Sequence, residues 1–313
     1  MNFLIPQGIG DSIWALHKVQ DIARQHGERR IDIFLNCADP IGTESRALDF
    51  VRRFNFVTSA QMLRVSIMRD PIVDDEGRYN YIADGWMPDM PGVYSLMPNQ
   101  PLERGVRLED WLPEYETNWG VSDDFGFTDD ELSTARDIQS HCADYVVFFM
   151  GSLIANTIDG HNRGERWTPF DWIELGDMLH DMLGLEIIVV GAPYDATYYE
   201  SRIEPNVAGK SHWHNHIGQH SIWETLAICR QARFVISYQS GIGIFSSYMG
   251  VPTGIFWRAK GDSIRDDMFL SFEESMASAW ARPEHIEQGI HLPLIYGRHD
   301  VAYIIQQITE RNW

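Results

Sequence analysis

The chain has 313 residues, 44% of them apolar and 22% charged, which is enough material for two domains with their own cores and no composition for a disordered chain. Its net charge of -20 is spread as -11 over residues 1–142 and -9 over 143–313, so neither half carries a bulk basic footprint for nucleic acid or an anionic membrane. No uninterrupted apolar run approaches the roughly 20 residues of a membrane-spanning helix. The opening MNFLIPQGIGDS lacks the basic start and cleavage site of a secretory leader, and the expectation is a cytoplasmic protein. Cys37, Cys142 and Cys229 are odd in number, far apart and in apolar surroundings, the pattern of reduced buried thiols rather than of a disulfide framework.

In chain order, Phe3-Leu4-Ile5 reads as a strand, Gly8-Ile9-Gly10-Asp11 as a tight turn, and the next 15 or so residues from Ser12 as a helix. A strand at Ile31–Leu35 and a helix over Glu44–Phe54 continue the alternation that a parallel sheet requires. Residues 70–120 are irregular. Between Leu108 and Ala135 stand nine acidic residues and no basic one, which reads as a solvated surface or an interdomain stretch. Thr128 and Glu131 form a capping-box signature for a helix reaching Ser140.

The second half restarts the rhythm. Tyr145–Met150 is an apolar strand ending at Gly151-Ser152, Thr168-Pro169 opens a helix to Leu183, and Leu185–Val190 is the next strand, closed by Gly191. Ser221 and Glu224 signal a helix to Gln231. Phe234–Ser237 is a strand whose following turn, Gln239-Ser-Gly-Ile-Gly243, leads into an apolar helix over Ile244–Met249, with a further strand at Pro252–Phe256. A helix over Val301–Arg311 ends the chain. The organisation is one α/β domain over residues 1–140, a second over 141–296, and a C-terminal helix, residues 297–313, packing back on the first domain.

In open α/β sheets ligands meet the carboxyl ends of strands, so the strand-to-helix turns are where chemistry is sought. Asp11 puts a carboxylate at the first turn, where a helix cap is the simpler reading of it alone. The turn does not match G-x-G-x-x-G, which disfavours a nicotinamide enzyme. The small-residue turn Gln239–Gly243 exposes backbone amides at a helix N-terminus, suited to a diphosphate, and Arg163 and Arg166 can supply guanidinium charge to a phosphate leaving group. His212, His214, His216 and His220 cluster in sequence, with hydrogen-bonded or exposed histidines, ligand contacts and metal chelation all open. No Asp-x-Asp triplet of the metal-dependent transferases occurs. Among eleven tryptophans, Trp86, Trp111, Trp119, Trp167 and Trp172 are candidates either for stacking on a sugar or base or for the core and domain interface.

Three blocks stand in order: the strand ending in GIGDS; FFMGS followed by ERWTPFDWIEL and EIIVVGAPYD; and SIWETLAICRQARFVISYQSGIGIFSSYMGVPTGIFW. Together they resemble the ADP-heptose:lipopolysaccharide heptosyltransferase family, over residues 1–20 and 145–257. The resemblance implies the GT-B architecture, two Rossmann-like doubly wound domains facing across a cleft. It implies inverting transfer of a sugar from a nucleotide diphosphate to an acceptor hydroxyl, a saccharide in the first instance, with no metal and no cofactor beyond the nucleotide sugar. Asp11 then corresponds to the general base and Arg166 to a donor-phosphate contact; Ser240 and Gly241 match the diphosphate turn. Gly10, Ser152, Arg163, Gly191 and Gln239 complete the candidate donor site, and Trp86 and Trp119 are the candidate acceptor contacts. Two departures stand out: Gln239 where the family has Asp, and Ile244 where it has His. The same chemistry on a hydroxylated DNA base, and a non-catalytic nucleotide-sugar binder, are the alternatives.

Overall fold

The computed structural model describes residues 1–6, 8–36, 44–63, 72–73, 79–80, 93–96, 114–115, 126–151, 167–238, 240–257, 282–295 and 299–313. They fall into two compact units, Met1–Gly126 and Phe127–Trp313, whose principal sheets are parallel. In the first unit, β1 (Asn2–Pro6), β2 (Asp32–Asn36), β3 (Ser59–Leu63) and β6 (Val93–Ser95) pair in the order β3-β2-β1-β6, while β4 (Ile72–Val73) and β5 (Tyr79–Asn80) form a separate antiparallel pair. Flanked on both sides, β1 buries Phe3, Leu4 and Ile5 without alternation, as a strand inside a parallel sheet does.

Helix α1 (Ile9–Gln25) packs on β1 and is buried almost all round: Ile13, Trp14, Leu16, Val19 and Ile22 are inaccessible, and so are His17 and Lys18. Lys18 Nζ donates to the Tyr115 carbonyl at 2.9 Å, which keeps a charged head hydrogen-bonded at the end of a buried stem. The helix begins at Ile9 rather than Ser12. Gly8 is the N-cap, and the Ser12 hydroxyl, instead of capping, donates back to the Pro6 carbonyl at 2.7 Å. Helix α2 (Glu44–Val51) stops short of Phe54, which follows in a turn and packs edge-on to Phe50.

The second unit opens with α3 (Asp129–His141), capped by Thr128 and Glu131 as its sequence signature requires. Next come β7 (Tyr145–Phe149), α4 (Pro169–Leu183) and β8 (Glu186–Val189). Two short helices, α5 (Ala196–Arg202) and α6 (Glu204–Val207), precede β9 (Trp213–Asn215). The chain continues through α7 (Ile222–Gln231), β10 (Phe234–Tyr238), α8 (Gly241–Tyr248) and β11 (Thr253–Trp257). It closes with α9 (Pro283–Glu287), β12 (His291–Ile295) and α10 (Val301–Glu310). All six strands are parallel, in the order β12-β11-β10-β7-β8-β9. Numbered within the unit, that is the dinucleotide-fold order 3-2-1-4-5-6, with its reversal between β7 and β10. The central strands β7 and β10 are fully buried.

Two boundaries differ from the sequence expectation. The units divide at Gly126/Phe127, so α3 goes with the second one, where it packs on α7 and Thr134 Oγ1 donates to Glu224 at 3.1 Å. The C-terminal helix, expected against the first domain, puts Ile304, Ile305, Ile308 and Trp313 into the core of the second unit, beside α4.

That core includes His291, at the start of β12, whose Nδ1 lies 3.2 Å from Ser247 Oγ. Burial, with a smaller contribution from His285, holds its pKa down at about 4. An unfolded histidine takes up its proton near pH ~6.5, so between those values the unfolded chain binds more protons and stability falls with falling pH. We expect the urea midpoint to drop between pH 7 and pH 5, and His291→Gln to make that dependence shallower, His216 and His220 supplying a remainder of the same sign; an equally steep profile in the variant would remove His291 as a source.

Candidate functional site

Each sheet presents one turn at the point where its strand order reverses. In the first unit the reversal lies between β1 and β6, and the turn leaving β1 is capped by Gly8 in an extended conformation. Helix geometry leaves the amides of Ile9, Gly10 and Asp11 outside the intrahelical ladder, which starts with Ser12 N–H on the Gly8 carbonyl at 2.7 Å. Gly10 is buried, and Asp11 occupies the third helical position, where the helix dipole favours a carboxylate.

In the second unit the turn after β10 carries Ser240 as N-cap of α8, its hydroxyl accepting from Gly243 N–H at 3.2 Å. The ladder begins with Ile244 N–H on Ser240 O, so the amides of Gly241 and Ile242 point out of the helix start. Ser240 and Gly241 are half-buried; the helix beyond them is sealed in the core from Ile242 to Tyr248. This is a helix N-terminus opening at a sheet switch point, an anion-binding arrangement.

Gly243 is what lets α8 sit so close to β10. A Cβ there would overlap the Oγ of Ser237 and lie 3.1 Å from its Cβ. Ser237 is wholly buried and its hydroxyl donates to the Tyr238 carbonyl at 2.8 Å. Gly243→Ala is expected to destabilise the protein by about 1–3 kcal/mol through overpacking, and Ser237→Ala in the same chain to restore part of the loss. Denaturant midpoints of the two singles and the double check this; independent, additive losses would refute the close approach.

The neighbouring strand exits are built around the carboxylate that ends the Gly191–Asp195 turn, a turn the sequence marks but whose Asp195 it does not single out as a site residue. Asp195 is 2% exposed, and its Oδ2 accepts from Ala192 N–H at 2.7 Å. A Cβ at Gly151 would overlap this carboxylate, and one at Gly191 would come within 3.1 Å of it. Both glycines, at the ends of β7 and β8, are thus required by the packing of Asp195, and the Gly191 carbonyl also accepts from Gly218 N–H at 2.9 Å. The sequence signal was a carboxylate closing a strand–Gly–Pro turn; nothing in it says that the side chain turns inward.

The remaining candidates separate. Ser152, Arg163, Arg166, Gln239, Trp86, Trp111, Trp119 and Cys37 lie outside the described residues, as does the Asp11 side chain. Ile244 is 2% exposed, so the position where the family that the sequence resembles carries His presents no polar group to a ligand. Trp167 and Trp172 are core residues: Trp172 packs on Phe148, Tyr238 and Phe256 and donates from Nε1 to Tyr238 Oη at 3.0 Å.

The histidines do not converge. His212 meets Asp177 at 3.0 Å and stacks on His180, His214 meets Glu186 at 2.7 Å, and His216 lies 3.0 Å from His220. Asp177 also receives Lys210 and Trp213, and these hydrogen bonds hold its carboxyl below the usual range against the opposing effect of burial. Burial, with His220 and His214 adding to it, pushes His216 down to about 4, so the His216–His220 pair is neutral at pH 7.

The chain is similar over nearly its whole length to several solved glycosyltransferase structures. An E. coli ADP-heptose lipopolysaccharide heptosyltransferase II shares 11% identity at a TM-score of 0.63, covering 99% of this chain and 97% of that one. A glycosyl transferase family 9 protein of Veillonella parvula shares 14% at 0.59, covering 99% and 89%, and the E. coli heptosyltransferase WaaC with ADP shares 13% at 0.53, covering 100% and 98%. No protein-family model and no curated protein matches the sequence. The fold is accordingly the heptosyltransferase-like GT-B fold, made of two Rossmann-like α/β units. Among the described residues no helix is long and apolar enough to cross a membrane.

Proposed function

We propose that the protein is a glycosyltransferase that moves a sugar from a nucleotide diphosphate donor to an acceptor hydroxyl, with inversion and without a metal. The observation that carries this reading is the Ser240-capped helix start of α8, opening at the β7/β10 switch point, in a chain with the GT-B fold. Amides at Gly241 and Ile242 suit the departing diphosphate, whose charge Arg166 and Arg163 help to neutralise. Asp11 is assigned as the base that takes the proton of the attacking hydroxyl. Trp86 and Trp119 are assigned to the acceptor, a saccharide; a charge of -20 speaks against a DNA acceptor.

WaaC was solved with ADP, so ADP-sugars head the test panel, followed by UDP- and GDP-sugars, with a CMP-sugar as the monophosphate control. One diphosphate sugar is expected to raise the melting midpoint where the CMP-sugar does not, and to yield glycosylated product, with chelator present, on a saccharide panel. No shift with any member would overturn the reading. The residue types at 239 and 244, Gln and a buried Ile, favour a second one, a non-catalytic nucleotide-sugar binder, for which a midpoint shift without product is the signature.

A further inference from the structure

At the opposite end of the second sheet from its candidate ligand turns, three side chains from separate elements meet: Cys142 at the end of α3, Glu186 at the start of β8, and His214 in β9. His214 Nε2 lies 3.6 Å from Cys142 Sγ and 2.7 Å from Glu186 Oε2, and the three donor atoms are all within 4.8 Å of one another. Register explains the meeting. His214 pairs with Ile188, so Glu186, two residues earlier on β8, is its diagonal neighbour on the same face.

We propose that Cys142, Glu186 and His214 form a binding site for a divalent zinc ion. Sulfur, imidazole nitrogen and carboxylate oxygen are the zinc donor set, and hard cations such as magnesium do not take thiolate. Around a tetrahedral ion with bonds of about 2.3 Å to sulfur and 2.0–2.1 Å to nitrogen, those two ligands stand roughly 3.6 Å apart, the separation found here. Nitrogen and oxygen would stand about 3.3 Å apart, so the Glu186 carboxylate must back away slightly, for which its partly exposed position leaves room. The fourth position is left to water.

Chemistry supports the ion as well as geometry. A Cys142 thiolate and the Glu186 carboxylate together match the two positive charges of the ion. Binding exchanges the S–H bond for S–Zn and releases the thiol proton to solvent; the proton that His214 Nε2 shares with Glu186 leaves that nitrogen, so that the ring coordinates through Nε2 as the Nδ1–H tautomer. His180, on α4, hydrogen-bonds through Nδ1 to the Leu185 carbonyl at 3.0 Å and lies 3.9 Å from Glu186 Oε1. The ion would tie β9, the edge strand of the sheet, to β8 and to α3. Its role is structural, away from the turns that carry the proposed transfer.

The test is titration of the full chain with zinc alone against a chromophoric chelator, together with cobalt substitution. One equivalent of tight binding is expected, with a thiolate-to-cobalt charge-transfer band and a raised melting midpoint. Cys142→Ser and His214→Gln should each weaken binding by at least the 10–100-fold that loss of a ligand's outer hydrogen-bond partner causes, and Cys142→Ser should abolish the band. Glu186→Gln, altering a partly exposed side chain, serves if the others fold poorly; His216→Gln should leave binding unchanged. Absence of tight binding in the unaltered chain, or equal affinity after Cys142→Ser or Glu186→Gln, would overturn the site. Neither result bears on the proposed transfer, which is read separately with nucleotide sugars.

Discussion

Asp11→Asn should lower the rate of sugar transfer by about 10²–10⁴-fold, the usual contribution of a positioned general base, while the donor dissociation constant stays nearly the same. Asparagine keeps the size and hydrogen-bonding atoms of the side chain but cannot accept the acceptor's proton at neutral pH. The fold should survive. At the third position of α1 the carboxylate's gain from the helix dipole is about 0.3–1 kcal/mol, and the anchor of this turn is the Ser12 hydroxyl on the Pro6 carbonyl, which the substitution leaves in place. Initial rates and donor affinity, measured on the same preparation with the melting midpoint as a control, separate the roles. Turnover within tenfold of the original would remove Asp11 as the base.

The largest effect on stability is expected from Trp172→Ala, about 3–5 kcal/mol. The indole is inaccessible, rests on Phe148 at 5.0 Å and edge-on to Tyr238 at 5.4 Å, and its Nε1–H satisfies the Tyr238 hydroxyl. Truncation leaves a cavity between α4 and the sheet and takes a hydrogen bond from Tyr238, the last residue of β10 before the Ser240 turn. A loss of that size is a large part of an ordinary domain's 5–15 kcal/mol. Trp172→Phe, which keeps a ring and loses the donor, should recover more than half of it. Urea denaturation measures both, and a loss below about 1 kcal/mol for the alanine variant would show that the site collapses around the missing ring.

The elements legible in the sequence were those whose signals are local. Thr128 with Glu131, Thr168 with Pro169 and Ser221 with Glu224 each start a helix where the pattern puts it, because a cap is satisfied within four residues. Central strands such as β7 and β10 are buried on both faces and show as apolar runs. Three of the strands that escaped notice, β3, β9 and β12, are sheet edges, and three more, β4, β5 and β6, fall in the stretch read as irregular. Edges tolerate Gln61, His214 and Pro293 because one side of the strand has no partner to satisfy.

The sequence alone determined the alternation of strand and helix and the two α/β units, and it marked the two turns, Gly8–Ser12 and Gln239–Gly243, where we propose the ligand chemistry. Tertiary structure decided the rest. It spent the C-terminal helix on the second unit's core, turned Asp195 inward beneath Gly151 and Gly191, and split the histidines between Asp177, Glu186 and each other. The reason is range: a cap or an apolar run is fixed by neighbours along the chain, whereas the partner of a buried carboxylate or an edge-strand histidine is chosen by sheet order and register, which bring together residues as distant as Cys142 and His214.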